Sequence, residues 1–366
     1  MLSIVQALEE FYRGRRVLVT GHTGFKGAWL VLWLRKLGAN ITGIALAPDS
    51  DLGLFSSARV ADIVESHELD IRDRELLSRV VREAAPEVVF HFAAQALVGI
   101  SYDDPIGTFA TNVMGTLHVL EAVHSARSVR SMVIATTDKC YENVEQIWGY
   151  RETDRLGGRD PYSASKACAE LAGASYVKSF LDGKPPFVAT ARAGNVVGGG
   201  DWGKFRLVPD CIRALRHERP IEIRNPRATR PWQFVLDPLA GYLMLARRLA
   251  TDGASFTGAW NFGPPADDQH DVESTARLVL KSWGGGWLEV AATNRFHESH
   301  SLSLDPTKTR RHLGWRTVAD FETAVRLTTE WYRHQHGTSD GGMRDFSESQ
   351  IAMFEQRLSG TLSDVM

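Results

Sequence analysis

Short apolar runs alternate with longer amphipathic segments over the first 200 residues of the chain. Residues 15–38 show a strand, a glycine-rich turn and a helix, and Gly38 ends that helix. Five further strands are predicted at 40–48, 62–71, 87–95, 131–137 and 187–198, with helices at 73–84, at about 105–126 and from Pro161 onward. The strands are near-continuous apolar runs, which is typical of strands buried on both faces. The alternation predicts an α/β fold with a doubly wound (Rossmann) parallel sheet.

The pattern changes after residue 198, where glycines and prolines become frequent and seven of the ten tryptophans are found. We expect one domain at 1–198, with return segments at about 228–263 that add a strand at 258–264. A smaller lobe is expected at 199–227 and 264–336. Residues 337–366 should form a C-terminal tail, with a loop before a last short helix.

Composition narrows the possible classes of protein. Of 366 residues, 43 % are hydrophobic, and 42 basic against 44 acidic residues give a net charge of -2. This balance argues against a nucleic-acid partner. Three cysteines cannot form a disulfide framework or a zinc site at their spacing, so a reducing, cytoplasmic compartment fits best. We find no signal peptide and no apolar run near the roughly 18 residues of a membrane span.

The glycine-rich turn that follows the first strand predicts a nucleotide site. Gly21, Gly24 and Gly27 are spaced three apart between a strand and a helix. Without side chains, they would let the backbone approach a pyrophosphate at the helix N-terminus. The alternative interpretation is a tight turn with no ligand.

The second strand favours NAD over NADP. An NADP site would place a basic residue after this strand, and no Lys or Arg occurs between residues 40 and 58. The acid expected for the NAD ribose comes slightly late, as Asp49. Asp70, at the end of the third strand, could accept a hydrogen bond from the adenine amino group, or could simply be an acid at a helix N-terminus.

Tyr162 and Lys166 lie four residues apart and therefore on one helix face. A lysine cation beside a phenol should lower its pKa from roughly 10 towards neutral, so that the phenolate can take a hydroxyl proton. By itself the pair is more often a solvated helix face. After a glycine-rich turn and five strands, it predicts a dehydrogenase-type site.

The chain resembles the extended short-chain dehydrogenase/reductases over about residues 15–335, through the glycine turn, residues 91–96, residues 111–122 and the Tyr162–Lys166 pair. Within that group it is most similar to the CDP-glucose 4,6-dehydratases. The stretches that carry this closer resemblance are GHTGFKGAWL (21–30), TTDKCYEN (136–143), YRETDRLGGRDPYSASKACAE (150–170), ARAGNVVGGGDW (191–202) and ATRPWQFVLDPL (228–239).

The resemblance implies NAD as cofactor, CDP-glucose as substrate and CDP-4-keto-6-deoxyglucose as product. Oxidation at C4 makes the C5 proton acidic, and elimination then needs a base at C5 and an acid at the C6 hydroxyl. The resemblance implies Asp138 as that acid, Lys139 as that base and Thr137 as a hydrogen-bond donor to the C4 oxygen. A lysine base needs a lowered pKa, which burial or nearby cations would provide. From spacing alone, Asp138 and Lys139 could equally be a solvated ion pair at a strand end.

The resemblance also assigns binding residues and shows two departures. The departures are Leu97-Val98-Gly99-Ile100, where relatives usually have a basic residue, and Phe234, where they usually have a histidine. Trp202 or Trp232 could stack on the pyrimidine or belong to the core of the small lobe. No metal site is expected, because His297, Glu298 and His300 lack the spacing of a zinc motif. The expected cofactor residues are Gly21, Thr23, Gly24, Phe25, Gly27, Asp70, Ile71, Phe92, Ala93, Ala94, Tyr162 and Lys166, and the expected substrate residues are Gln95, Asn195, Trp202, Arg206, Arg230 and His297.

Two long helices, at about 105–126 and 161–182, carry apolar positions beyond the face that covers the sheet. In relatives these helices form a four-helix interface, so a homodimer is expected. The alternatives to a dehydratase are a nucleotide-sugar 4-epimerase, a CDP-sugar 2-epimerase, and a non-catalytic NAD-binding protein on the same fold.

Overall fold

A seven-stranded parallel sheet forms the centre of the computed structural model, which describes residues 2–223, 225–265, 268–290, 302–338 and 342–362. The strands are β1 (Arg16–Thr20), β2 (Asn40–Ala45), β3 (Glu65–Glu68), β4 (Val88–His91), β5 (Ser131–Ala135), β6 (Phe187–Ala193), β7 (Val196–Val197), β8 (Ile221–Ile223), β9 (Thr229–Arg230), β10 (Gln233–Phe234), β11 (Gly258–Phe262), β12 (His270–Asp271) and β13 (Leu288–Val290).

The strand order of the central sheet is β11-β6-β5-β4-β1-β2-β3, and every neighbouring pair is parallel. The order reverses beside β1, which creates the crevice where ligands of doubly wound sheets bind. The predicted fold class is confirmed, and β11 is the return strand expected at 258–264. In the described residues, the pairs β7–β10, β9–β12 and β8–β13 form small separate sheets. The predicted domain boundaries remain a prediction.

Helices cover both faces of the sheet. They are α1 (Ile4–Tyr12), α2 (Phe25–Lys36), α3 (Leu54–Ser57), α4 (Arg74–Ala84), α5 (Val98–Asp103), α6 (Pro105–Phe109), α7 (Thr116–Ala126), α8 (Pro161–Tyr176), α9 (Leu207–Arg216), α10 (Leu236–Asp252), α11 (Val272–Trp283), α12 (Phe321–Gly337) and α13 (Met343–Leu362). π-helical turns at Ala110–Gly115 and Val177–Leu181 extend α6 into α7 and lengthen α8. Within the described ranges, we find no helix that is both long enough and apolar enough to cross a membrane.

The central part of α2 is apolar on all sides, and it is therefore buried between the sheet and other helices. Residues 27–34 of α2 are all buried. The extended backbone of Gly24 precedes the helix, and Gly38, with φ of +82°, follows it. This positive φ suits glycine, which has no Cβ to clash. Because α2 begins directly after the turn that follows β1, its N-terminus lies at the carboxyl edge of β1.

The last helix differs from the sequence prediction. We expected a short helix after a polar loop, but α13 spans 20 residues. It packs into the main core through Ile351, Phe354 and Leu358. The Trp33 indole on α2 donates to Glu355 Oε1 at 2.8 Å. The sequence of α13 has a weakly segregated apolar face, which is why its length was missed.

Candidate active site

The glycine-rich turn is shaped so that backbone alone fills it. Gly21 has a φ of +75°, and a Cβ at this position would lie 2.6 Å from the backbone nitrogen of Ala93. A Cβ on Gly27 would lie 2.1 Å from the carbonyl oxygen of Gly21. Gly24 is the N-cap of α2, so the first helical N–H groups have no side-chain cap. Bare amides at a helix N-terminus suit a pyrophosphate, and the turn therefore fits the predicted dinucleotide.

Hydrogen bonds join this turn to the neighbouring strand ends. The Thr23 hydroxyl donates to the carbonyl oxygen of Leu46 at 3.0 Å, next to the end of β2. The Thr20 hydroxyl accepts from the backbone N–H groups of Phe92 and Ala93, both at 3.2 Å. The segment Phe92–Ala94 therefore follows β4 directly against the glycine turn, as the sequence prediction requires.

Asp70 is already paired within the protein. Its Oδ2 accepts from Arg72 Nε at 2.8 Å and from Arg72 Nη2 at 2.6 Å. These bonds hold the pKa of Asp70 below its usual value. The neighbouring Ile71 is buried and lies against Gly115. Contact of either residue with adenine remains a prediction.

The segment TTDK ends β5 in a tight turn at the carboxyl edge of the sheet. Thr137 begins the 3₁₀ turn Asp138–Cys140, and its hydroxyl accepts from Lys139 N at 3.3 Å. Asp138 is buried, with a side chain only 2 % exposed. Its Oδ1 accepts from the Thr137 hydroxyl at 3.0 Å, whereas its Oδ2 has no partner among the described residues. Buried carboxylate oxygens are nearly always paired, so Oδ2 is available to a ligand.

Helix α8 presents Tyr162 to this turn. The Asp160 carboxylate accepts from Ser163 N at 2.9 Å, and Pro161 occupies the first helical position. These two signals fix the start of α8 immediately before Tyr162. Interaction with the Thr137 side chain acts to lower the pKa of the Tyr162 hydroxyl. The structure thus brings Thr137, Asp138 and Tyr162 into one cluster.

The ionisation of the Tyr162–Lys166 pair differs from expectation. Burial raises the pKa of Tyr162 to about 12, and the interaction with Thr137 and the charge of Arg206 only partly oppose this. Burial lowers the pKa of Lys166 to about 8, against the opposing charge of Glu170. We expected Lys166 to lower the pKa of the Tyr162 phenol towards neutral. With the protein's own side chains around it, the pKa of the phenol is raised instead, so this prediction is wrong. Desolvation of the buried phenolate outweighs the nearby cations.

Lys139 also lies in an unexpected environment. Its side chain is 36 % exposed, and its ammonium lies 3.8 Å from Asp138 Oδ1. The burial that we expected around a lysine base is not observed. Asp138, rather than Lys139, is the buried member of the pair. The alternative interpretation, a solvated ion pair at a strand end, therefore does not describe this pair either.

Of the predicted substrate residues, Arg206 acts electrostatically on Tyr162. Its Nη1 donates to Asp201 Oδ2 at 2.7 Å. Gln95 is engaged by Leu97 N and by the Thr108 hydroxyl, at 2.6 and 2.9 Å. Asn195 follows β6, and its carbonyl oxygen accepts from the backbone of residue 233 at 3.0 Å.

The remaining predicted substrate residues lie in the later segments. The Trp202 indole donates to the Leu52 carbonyl oxygen at 2.7 Å, and its ring meets Tyr332 edge-on. Trp232 is buried in the main core, which favours the core interpretation over stacking on a base. Arg230 lies in β9, with Nη1 donating to the Thr229 carbonyl oxygen at 2.8 Å. His297, together with Glu298 and His300, lies outside the described residues.

Sequence reasoning missed four polar residues of the site region, which are Lys26, Tyr141, Glu170 and Arg192. Burial, together with the charges of Lys166 and Arg206, lowers the pKa of Lys26 to about 7. A lysine at the start of an apolar helix, and an arginine within the apolar strand at 187–198, were the available signals. Buried charges of this kind are rarely left unpaired.

Comparison with known proteins agrees with this geometry. The family model of GDP-mannose 4,6 dehydratase matches residues 18–328. The chain belongs to this family. It is also 46 % identical over 332 residues to the CDP-glucose 4,6-dehydratase of Salmonella typhimurium, covering 89 % of this chain and 92 % of that protein. The resemblance predicted from the sequence is therefore confirmed.

Solved structures of family relatives share the whole fold. A dTDP-glucose 4,6-dehydratase from Streptomyces venezuelae with NAD and TYD bound has a TM-score of 0.75 and 26 % identity, covering 88 % of this chain and 98 % of that one. A UDP-glucose 4-epimerase from Thermus thermophilus in complex with NAD has a TM-score of 0.76 and 27 % identity, covering 87 % and 99 %. Dehydratases and epimerases thus share this architecture. The fold therefore cannot distinguish the two activities, and the site residues must do so.

Proposed function

We propose that this family member catalyses the NAD-dependent dehydration of CDP-glucose to CDP-4-keto-6-deoxyglucose. The observation that carries the proposal is the Asp138–Lys139 pair beside Tyr162, with one buried carboxylate oxygen available to a ligand. A 4-epimerase needs the tyrosine but no such pair. The identity to a curated CDP-glucose 4,6-dehydratase supports the same substrate.

Tyr162 and Thr137 serve the oxidation at C4. NAD, when bound at the glycine turn, supplies the hydride acceptor for C4 and later the hydride donor for C6. Tyr162 takes the proton of the C4 hydroxyl, and Thr137, whose side chain acts on the pKa of Tyr162, turns its hydroxyl from Asp138 to hold the C4 oxygen. The pKa of about 12, which the charge of Arg206 already lowers in part, means that the phenol needs further positive charge to ionise at neutral pH.

Asp138 and Lys139 serve the elimination. With a ketone at C4, Lys139 takes the C5 proton. The C6–oxygen bond breaks as Asp138 donates a proton to the departing hydroxyl, and one water leaves. Return of a hydride to C6 and a proton to C5 completes the product. General acid–base groups of this kind typically contribute about 10²–10⁴ in rate.

Binding of the nucleotide sugar is assigned to residues around this centre. Arg206 is proposed for the diphosphate because a guanidinium fork suits phosphate oxygens. Arg230 is likewise proposed for the phosphates, Asn195 and Trp202 for the nucleotide, and Gln95 for the sugar. The dinucleotide is assigned to the glycine turn, residues 92–94, Asp70 and Ile71.

We also propose a cytoplasmic homodimer. Cys140, Cys168 and Cys211 are all free thiols, which suits a reducing compartment. Ile106 of α6 and Leu171 of α8 are 79 % and 59 % exposed, which is unusual for large apolar side chains. Leu171→Glu should produce monomers in light-scattering measurements; an unchanged mass would argue against this interface.

Incubation with CDP-glucose and NAD tests the function. Mass spectrometry should find a product lighter than the substrate by one water. A product of unchanged mass with altered stereochemistry would indicate an epimerase. No change with any sugar nucleotide would indicate a non-catalytic binding protein.

A further inference from the structure

A buried ion pair joins α8, which carries Tyr162 and Lys166, to β6, the neighbour of β5. Arg192 on β6 donates from Nε and Nη2 to the Glu170 carboxylate on α8, at 2.9 and 2.8 Å. Both side chains are almost fully buried. The hydroxyls of Thr136 and Thr190 donate to the same carboxylate at 2.5 and 2.7 Å. Glu170 therefore ties α8 to the carboxyl ends of β5 and β6.

The position of Glu170 links this pair to both halves of the chemistry. Glu170 follows Lys166 by one helical turn, and its charge opposes the loss of a proton from that buried lysine. Its partner Thr136 directly precedes Thr137. If either partner moved away, the other would be left as an uncompensated buried charge, which is costly. The ion pair therefore holds α8 and β6 in one relative position.

Tyr141 extends the network to the far end of the Asp138–Lys139 turn. Its hydroxyl accepts from Arg192 Nη1 at 2.8 Å and donates to Asn261 Oδ1 on β11, also at 2.8 Å. Its backbone N–H donates to the Asp138 carbonyl oxygen at 3.4 Å, which closes the turn. The side chain is buried. The turn is thus fixed by Thr137 at its start and by Tyr141 at its end.

We propose that Tyr141 is a positioning residue that holds the Asp138–Lys139 turn in place for the elimination step, through its hydroxyl bonds to Arg192 and Asn261. This inference rests on the proposed function. The hydroxyl touches neither Tyr162 nor the glycine turn in the described structure, and Tyr141 closes the end of the turn opposite Thr137, so its larger effect falls on elimination rather than on C4 oxidation or cofactor binding.

Tyr141→Phe removes the hydroxyl and keeps the ring in its cluster. Displacement of catalytic groups by about 1 Å can cost about a hundredfold in rate, so kcat should fall by between about tenfold and about a hundredfold while KM for CDP-glucose stays unchanged. Because oxidation continues while elimination slows, a larger fraction of the enzyme should carry NADH during turnover. Near-ultraviolet absorbance in stopped-flow mixing measures that fraction.

Tyr150→Phe is the matched control. The Tyr150 ring stacks on Tyr141 with centroids 5.2 Å apart, but its hydroxyl contacts Asn143 and Val144 N instead of Arg192. Thermal unfolding of both variants reports any loss of folded protein. The proposal fails if Tyr141→Phe turns over like Tyr150→Phe, or if it is slower with no rise in NADH. Failure of the proposed function is distinct, because the unsubstituted protein would then form no product in the same assay.

Discussion

Asp237 gives the sharpest prediction about the stability of this fold. It lies at the start of α10 and is fully buried. Its Oδ1 accepts from Val318 N at 2.5 Å, and its carbonyl oxygen accepts from the Trp315 indole at 2.8 Å. Asp237 therefore anchors the segment before α12 to α10. Burial raises its pKa to about 8, against the opposing hydrogen bonds from Val318 and Ala319.

The raised pKa makes stability fall as pH rises. An unfolded aspartate has a pKa of about 3.9, so between about pH 4 and pH 8 the folded chain holds a proton that the unfolded chain has lost. The contribution of Asp237 is fully present below about pH 4, and it is lost at about 1.4 kcal/mol for each pH unit up to about pH 8. Between about pH 5.5 and about pH 7.5 the loss amounts to about 2.7 kcal/mol.

Asp237→Asn removes this titration and keeps an oxygen acceptor for Val318. For 366 residues, an unfolding entropy of about 2.1 cal/mol/K per residue converts about 2.7 kcal/mol into a Tm shift of about 3–4 °C. Differential scanning calorimetry measures the Tm of the variant minus the Tm of the unsubstituted protein. This difference should be about 3–4 °C more positive at about pH 7.5 than at about pH 5.5. Asp51→Asn, at an exposed position, is the control. Equal Tm differences at both pH values would refute the reasoning.

Three further predictions concern the site. Lys139→Ala should retain NAD binding and the melting temperature but lose dehydration by at least about a hundredfold; near-normal turnover would exclude Lys139 as the base. Asp138→Asn should still oxidise C4 slowly, so NADH absorbance should rise after CDP-glucose is added, and a flat absorbance trace would count against the acid assignment. Gly27→Ala should lower the free energy of unfolding by about 1–3 kcal/mol and abolish NAD binding in calorimetry, because its Cβ would lie 2.1 Å from the Gly21 oxygen. Gly24→Ala, whose Cβ would have its nearest contact at 3.3 Å, should bind NAD far better than Gly27→Ala. Equal binding by both variants would contradict the assignment of the glycine-rich turn to the dinucleotide.

The sheet and its ligand edge could be predicted from sequence because they depend on local patterns. Apolar runs place β1, β2, β4, β5 and β6, and the glycine turn identifies the end of β1. The start of α8 could be predicted for the same reason, since Asp160 and Pro161 give local helix signals just before Tyr162.

Ionisation and burial within the site could not be predicted, because they depend on contacts distant in sequence. Tyr162 has a raised pKa because tertiary packing removes water from the phenol, and spacing to Lys166 gives no information about that packing. Glu170 on α8 and Arg192 on β6 are 22 residues apart, and only the packing of α8 against the sheet brings them together. Asn261 reaches Tyr141 from β11 across 120 residues. The sequence around Asp138 likewise contains no sign that Asp138, rather than Lys139, is the buried member of the pair.

The central claim is that this chain moves a hydride within one sugar while eliminating water from it. CDP-glucose carrying deuterium at C4, incubated with the protein and NAD in ordinary water, tests this most directly. The account predicts a product lighter by one water that retains the deuterium, now on C6, as tandem mass spectrometry can locate it. A product of unchanged mass, or a dehydrated product that has lost its deuterium to solvent, would contradict the account.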